Sequence, residues 1–253
     1  MAHPDWPELA NVRFEPVTEG MSGALLFRLT EDGHPLRYLK IARDESMASL
    51  NEEIARTRWL ASQGVRVPVI QRIENGADQI AMLTEAVPGF PAQDSAFAPD
   101  QLVESLARGL GALHRLPAGD CPFDESLSVR LSRAAKAVAS GEIDKEDFEP
   151  RNRRITPEKL LARVKQGRPA EDIVVVHGDA TLTNLIVDGN GGLGFVDCGN
   201  AGRGDRYLDL AVTHAGIEEH FGKDASQYFL RAYRVRHWNS AKALYFSDLY
   251  ELF

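Results

Sequence analysis

Three short apolar runs lie close together late in the chain: VVV at 174–176, LIV at 185–187 and GFV at 194–196. His177-Gly178-Asp179 follows the first, Asn184 precedes the second, and Asp197-Cys198-Gly199 follows the third. Runs of this kind, bounded by Gly, Asp and Asn, read as short strands. Three-residue strands need the rest of a domain to cover them, so this stretch dictates a mixed chain with strands at a polar centre. A carboxylate or amide at the end of a buried run costs free energy unless it is paired or bound. An isolated His-Gly-Asp is most simply a turn whose aspartate caps a backbone. The set is different, because two carboxylates and an amide oxygen held around one point are the donor types a hard cation prefers.

At 253 residues the chain can bury a sizeable core, as one large domain or two lobes. No apolar run approaches the roughly eighteen residues of a membrane span. The opening MAHPDWPELANVRF lacks the basic-then-apolar layout of a secretory signal. Cys121 and Cys198 are far apart with no Cys-x-x-Cys, which suggests neither a disulfide framework nor a zinc site. These features lead to the expectation of a cytoplasmic protein with no membrane contact. The formal net charge of −8 disfavours nucleic acid, whose phosphates reward clustered Lys and Arg. It suits a cationic small molecule, although charge alone speaks first to solubility.

Neither repeats nor low-complexity tracts interrupt the chain. Residues 11–42 read as short strands broken by the turn signals TEGMSG and EDGHP. SLNEEIARTRWLASQG has helical spacing and ends in Gly64, and QRIENGADQIAML reads as a hairpin turning at Asn75-Gly76. LTEAVPGFPA, with two prolines and a glycine, reads as a hinge. Beyond it, Leu102, Leu106, Leu110, Leu113 and Leu116 recur at spacings of three and four, one face of a helix. Helices are also expected over 128–140 and 157–166 and, after the strand-rich patch, to the end. The plan is a β-rich small lobe followed by a helical large one.

The spacing Asp179-x-x-x-x-Asn184, with Asp197 after a later apolar strand, is that of a protein kinase's base and metal ligands. Asp179 suits the proton acceptor of an attacking hydroxyl; Asn184 and Asp197 suit magnesium. Upstream, Tyr38 and Lys40 in PLRYLKIA share a strand face, where an aromatic and an ammonium could hold adenine and the α/β-phosphates. A strand lysine is by default simply solvated. Glu53 argues otherwise: it falls on the Leu50 and Leu60 face of its helix, where a carboxylate needs a partner, and Lys40 is the obvious one. TEGMSG lacks a full GxGxxG; it is either a plain hairpin turn or a loop in which Ser22 and its neighbours donate to phosphates.

Together these residues resemble the aminoglycoside phosphotransferases, most closely the kanamycin-type enzymes that phosphorylate the sugar 3′-hydroxyl. The resemblance spans nearly the whole chain: TEGMS, RYLKI, CPFDESL, the HGDxxxxN run, FVDCGNAGRGDRYLDLA and the terminal DLYELF. It implies an α+β, bilobal, protein-kinase-like fold, with a nucleotide-binding lobe over 1–88, a hinge near 84–90, and a catalytic and substrate lobe over 89–253. It implies ATP, with GTP as the alternative donor, and Mg²⁺. Asp179 would be the base, Lys40 would pair with Glu53, and Asn184 and Asp197 would hold the metal. Tyr38 would stack on adenine, with the backbone from Thr84 to Ala86 at its edge and His177 as structural support. For the aminoglycoside, the resemblance points to Glu146, Glu149, Glu219, Glu251 and the carboxylate of Phe253. A ring of carboxylates gives ammonium groups charge-assisted hydrogen bonds, although SGEIDKEDFEP taken alone reads as a solvated segment. The protein is expected to be a monomer or weak dimer.

Two positions depart from the family pattern: Asn200 and Ala215 stand where relatives carry arginines that help arrange the acceptor site. That leaves substrate spectrum and regiochemistry open. A kinase of another small hydroxylated metabolite, an amino sugar or choline-like compound, is the alternative. A nucleotide-binding pseudoenzyme is disfavoured by the intact Lys40, Asp179, Asn184 and Asp197. A protein kinase is disfavoured because too little chain follows Asp197 for a peptide platform.

Overall fold

The computed structural model describes residues 4, 6–10, 12–17 and 23–253. By internal packing the chain divides into two compact units, Met1–Gly89 with Gly194–Gly199, and Phe90–Leu193 with Asn200–Phe253. Their boundary at Gly89 and Phe90 falls in the stretch with two prolines and a glycine.

The first unit is built on strands β1 (Arg13–Val17), β2 (Leu25–Thr30), β3 (Arg37–Arg43), β4 (Val69–Asn75) and β5 (Gln79–Glu85), with helix α1 (Ser46–Ser62) between β3 and β4. The sheet is antiparallel in the order β1-β2-β3-β5-β4. Alternation along each strand decides which side chains go where. Leu29, Leu39, Ile41, Ala81 and Leu83 pack with Trp6 and Leu9 on one face. Ala42, Ile80 and Met82 pack on the other against Leu50 and Ile54 of α1. The β4–β5 hairpin does not turn at Asn75-Gly76. Asn75 ends β4, and Gly76 N–H donates to the Gln79 carbonyl at 2.8 Å across a three-residue connection. Neither Asn75 nor Gly76 has the positive φ that a two-residue Asn-Gly turn of type I′ requires.

The second unit holds β6 (Phe90–Pro91), α2 (Pro99–Leu113), α3 (Leu127–Ser140), α4 (Pro157–Gln166), β7 (Ile173–Val176) and β8 (Leu185–Val187). After β9 (Leu193–Phe195), which carries the chain into the first unit, come β10 (Gly202–Asp205), α5 (Tyr207–Phe221), α6 (Lys223–Tyr233) and α7 (Ser240–Tyr250). Segregation of a sheet and of helices along the chain makes the class α+β, as expected. The leucine stripe of α2 is buried from Leu102 to Leu113. Leu116 lies beyond the helix, because the residue before Pro117 is biased out of the α region. The core of this unit joins Leu127, Phe148, Leu160, Val174, Val176 and Leu208 to Phe246, Leu249 and Leu252 at the chain end.

Strand β10 was not expected, since Gly202-Arg203-Gly204-Asp205 carries no apolar alternation. It pairs antiparallel with β7, Gly202 opposite Val176 and Asp205 opposite Ile173. The glycines let backbone approach backbone. A Cβ on Gly202 would lie 3.0 Å from the Phe123 carbonyl oxygen, and one on Gly204 would lie 2.9 Å from that of Glu125.

Candidate active site

In the first unit the chemistry gathers on the α1 side of the sheet. Arg37, Leu39 and Ile41 of β3 are buried, while Tyr38 and Lys40 alternate with them on the opposite face. Lys40 Nζ donates to Glu53 Oε2 at 2.6 Å and to Asp197 Oδ1 at 3.1 Å. Lys40 and Glu53 are each only 12% exposed, so the ion pair is shielded, whereas Asp197 is 53% exposed and opens to solvent. Burial acts to lower the Lys40 pKa, but attraction to Glu53 and Asp197 outweighs it and holds the ammonium above the ordinary lysine range. Asp197 has φ +58°, a left-handed conformation unusual for a non-glycine residue. Residues held this way cost about 1–3 kcal/mol and persist only where their surroundings impose them. The Cys198 thiol beside it is buried, and burial pushes its pKa up, so it is an inert group.

Tyr38 lies opposite Thr84 in the β3–β5 register. The N–H of Ala86 donates to the Leu36 carbonyl at 2.8 Å, so this amide is already committed within the unit. Ser22 and most of the TEGMSG loop lie outside the described residues.

In the second unit, Asp179 follows β7 through His177 and Gly178. Gly178 has φ +81°, and a Cβ there would fall 2.2 Å from the Asn200 carbonyl oxygen, so only glycine fits. Asn184 Nδ2 donates to the Asp179 carbonyl at 3.0 Å and to its Oδ2 at 2.9 Å. That use of the amide nitrogen leaves the Asn184 side-chain oxygen for a ligand. Tyr250 Oη donates to the other carboxylate oxygen, Asp179 Oδ1, at 2.9 Å.

The carboxylates expected at an acceptor site behave differently from one another. Glu146 and Glu219 are exposed, and Glu149 is exposed with Arg151 at 3.9 Å. Glu251 is instead tied down: Arg151 Nη2 reaches it at 3.0 Å, Asn152 Nδ2 at 2.9 Å and the Glu149 N–H at 3.1 Å. Burial raises the Glu251 pKa against the lowering effect of Asn152 and Arg151. Leu252 is fully buried, and the Phe253 ring lies 5.3 Å from the Arg130 guanidinium. Among the described residues, no cluster of three His, Cys, Asp or Glu side chains could hold a metal by itself. Magnesium bound through one or two protein oxygens and nucleotide phosphates needs no such cluster. The Asn184 side-chain oxygen in the second unit and the open Asp197 carboxylate in the first are each, taken singly, of the donor type that mode uses.

The model of the phosphotransferase enzyme family matches residues 13–244. The aminoglycoside 3′-phosphotransferase of Streptomyces fradiae is 34% identical, covering 94% of this chain and 94% of that protein. The chain belongs to the aminoglycoside phosphotransferase family. It is therefore an enzyme that transfers phosphoryl groups, with a protein-kinase-like fold. Among other relatives, the streptomycin 3″-kinase of Streptomyces griseus is also 34% identical, over 84% of this chain and 81% of that protein. A solved aminoglycoside 3′-phosphotransferase of type VIII superposes with TM-score 0.88 at 34% identity, covering 97% of this chain and 95% of that one. The Streptomyces rimosus enzyme APH(3″)-Id, in complex with ADP and streptomycin, superposes with TM-score 0.84 at 30% identity, covering 97% of this chain and 94% of that one.

Two further residues of this phosphotransferase shape the Asp179 loop. Asp209 of α5 is completely buried and accepts from His177 N–H at 2.8 Å, Gly178 N–H at 2.7 Å and His114 Nε2 at 2.9 Å. Burial opposes its ionisation, but the hydrogen bond and charge of His114, with those of His177, leave its pKa below the ordinary carboxylate range. Thr213, one turn further, donates to the Ala180 carbonyl at 2.7 Å. Asp209 was legible in principle, because an acid inside the apolar run YLDLA must be paired, the logic that applies to Glu53. Nothing in the sequence pattern marks Tyr250.

Proposed function

We infer that this enzyme transfers the γ-phosphoryl group of ATP to a hydroxyl of an aminoglycoside, the 3′-hydroxyl as the first choice, and so confers antibiotic resistance in the cytoplasm. The observation that carries the reading is Asp179, a carboxylate held by Asn184 on a loop whose backbone is anchored by buried Asp209. The acceptor oxygen bonds to phosphorus, the bond from phosphorus to the departing ADP oxygen breaks, and the hydroxyl proton passes to Asp179. Lys40, fixed by Glu53, reaches the α/β-phosphates; Tyr38 stacks on the base, and the backbone near Thr84 and Ala86 meets its edge. Because the Ala86 N–H is engaged by Leu36, its contact there runs through a carbonyl oxygen or requires that bond to open. GTP is the alternative donor. Asn184 and Asp197 each offer an oxygen to Mg²⁺, which when bound neutralises phosphate charge. Among the described residues no helix is long and apolar enough to cross a membrane.

The polycationic acceptor suits Glu146, Glu149 and Glu219, whose carboxylates stay exposed. Glu251 serves it only by exchanging Arg151 for a substrate ammonium. The 3″-hydroxyl is the second reading, favoured by equal identity to the streptomycin 3″-kinase. The test is ADP release across kanamycin-, neomycin- and streptomycin-class acceptors with NMR of the product, repeated with Asp179→Asn. Transfer to the 3′ oxygen, lost by roughly 10²–10⁴-fold in the variant, is expected. A 3″ product establishes the second reading. Consumption of no aminoglycoside, or an unimpaired variant, overturns the assignment.

A further inference from the structure

Resting on the reading of Asp179 as the base, we propose that Tyr250 is a stopper that occupies this carboxylate until an acceptor arrives and so keeps the enzyme from spending ATP on water. Asp179 has two oxygens, and both are taken: Oδ2 by Asn184 at 2.9 Å and Oδ1 by the Tyr250 hydroxyl at 2.9 Å. The Tyr250 contact is the one an acceptor must make, a neutral hydroxyl donating to the base. Water makes it equally well. An uncovered Oδ1 would hold a water whose oxygen attacks the γ-phosphorus while its proton passes to Asp179, the P–O bond to ADP breaking as in transfer. Excluding water from a charged nucleophile's neighbourhood is a recognised way of suppressing such side reactions.

The placement of Tyr250 is built rather than incidental. It closes α7, flanked by Leu249 at 1% exposure and Leu252 at 0%. The next residue, Glu251, is locked to Arg151 at 3.0 Å and to Asn152 at 2.9 Å. The backbone is thereby anchored on both sides, while Tyr250 as a residue is 40% exposed. A polyhydroxylated acceptor can displace the phenol by a rotation of one side chain, without undocking the chain end. The hydroxyl removed by Tyr250→Phe leaves a gap of about one water beside Oδ1; Tyr250→Ala leaves a larger one.

The experiment measures phosphate release from Mg-ATP with no acceptor present, alongside transfer to an aminoglycoside, in wild type, Tyr250→Phe, Tyr250→Ala and Asp179→Asn. Acceptor-free hydrolysis should rise at least about fivefold in Tyr250→Phe and further in Tyr250→Ala, with the ATP KM unchanged. The acceptor KM of Tyr250→Phe should fall, since the competitor is gone. A purely structural tyrosine would lower thermal stability and transfer without raising hydrolysis. Tyr250→Phe keeps the ring and its packing, so the test stands even where the alanine variant fails to fold. Unchanged hydrolysis in a folded Tyr250→Phe enzyme, with Asp179→Asn inactive, overturns the stopper alone. Normal transfer by Asp179→Asn overturns the base itself.

Discussion

Replacing Asp209 by asparagine keeps the volume and removes one acceptor. The aspartate serves three buried donors with two oxygens: His177 N–H and His114 Nε2 on Oδ2, and Gly178 N–H on Oδ1. An asparagine oriented to keep the pair on one oxygen turns its own NH₂ group onto the Gly178 N–H. The other orientation faces NH₂ to the His177 N–H and strands His114 as well. The better choice therefore loses one hydrogen bond to a charged group, about 1.5–3 kcal/mol, and leaves a buried donor unsatisfied at about 1–3 kcal/mol. The sum is about 2.5–6 kcal/mol. At about 2–4 °C per kcal/mol for a chain of this size, the melting temperature should fall on the order of 10 °C. The same tether positions the backbone just before Asp179, and misplacement by about 1 Å can cost on the order of 10²-fold in rate. Differential scanning fluorimetry and kcat measured well below the transition test both parts. A variant that melts within about 2 °C of wild type, with kcat within twofold, would show that the buried carboxylate neither holds the loop nor places Asp179.

Three further outcomes follow from the same geometry. Asp209 has a folded-state pKa below its unfolded value near 3.9, so its stabilisation is full above that pH and is lost as pH falls through the lower folded value. Wild type should lose stability below about pH 4 more steeply than Asp209→Asn, measured by denaturation against pH. Gly178→Ala should prevent a stable fold, its Cβ falling 2.2 Å from a carbonyl oxygen; Gly141→Ala, also at positive φ but with nothing within 4 Å, should cost only about 1–2 kcal/mol in urea denaturation. Leu252→Ala, next to the chain end yet fully buried in the second core, should destabilise by about 2–4 kcal/mol in the same assay.

Local chemistry was the legible part of this protein. The Asp179 and Asn184 spacing, the alternation that puts Tyr38 and Lys40 on one face, and the acid on an apolar helix face at Glu53 are all written within a few residues. A backbone of known period converts such spacing into direction. Asp209 obeys the same rule inside YLDLA. The hairpin turn failed because an Asn-Gly pair permits a two-residue turn without compelling one, and β10 was hidden because its glycines answer to the close approach of residues 123–125 rather than to any periodicity.

What joins distant segments was decided by tertiary structure alone. Lys40 meets Asp197 across 157 residues of chain, Tyr250 meets Asp179 across 71, and Arg151 takes Glu251 across 100. The sequence by itself carries the apolar residues of DLYELF, and Leu249 and Leu252 are buried because they would lose more by staying in water than the chain loses in freedom. It left undetermined that docking would set the Tyr250 hydroxyl on one oxygen of Asp179 and commit the Glu251 carboxylate to Arg151. Apolar burial is non-directional and depends on area, so pattern reveals it. A hydrogen bond holds only within a few tenths of an ångström and a narrow angle, and those are coordinates that only the packed fold supplies.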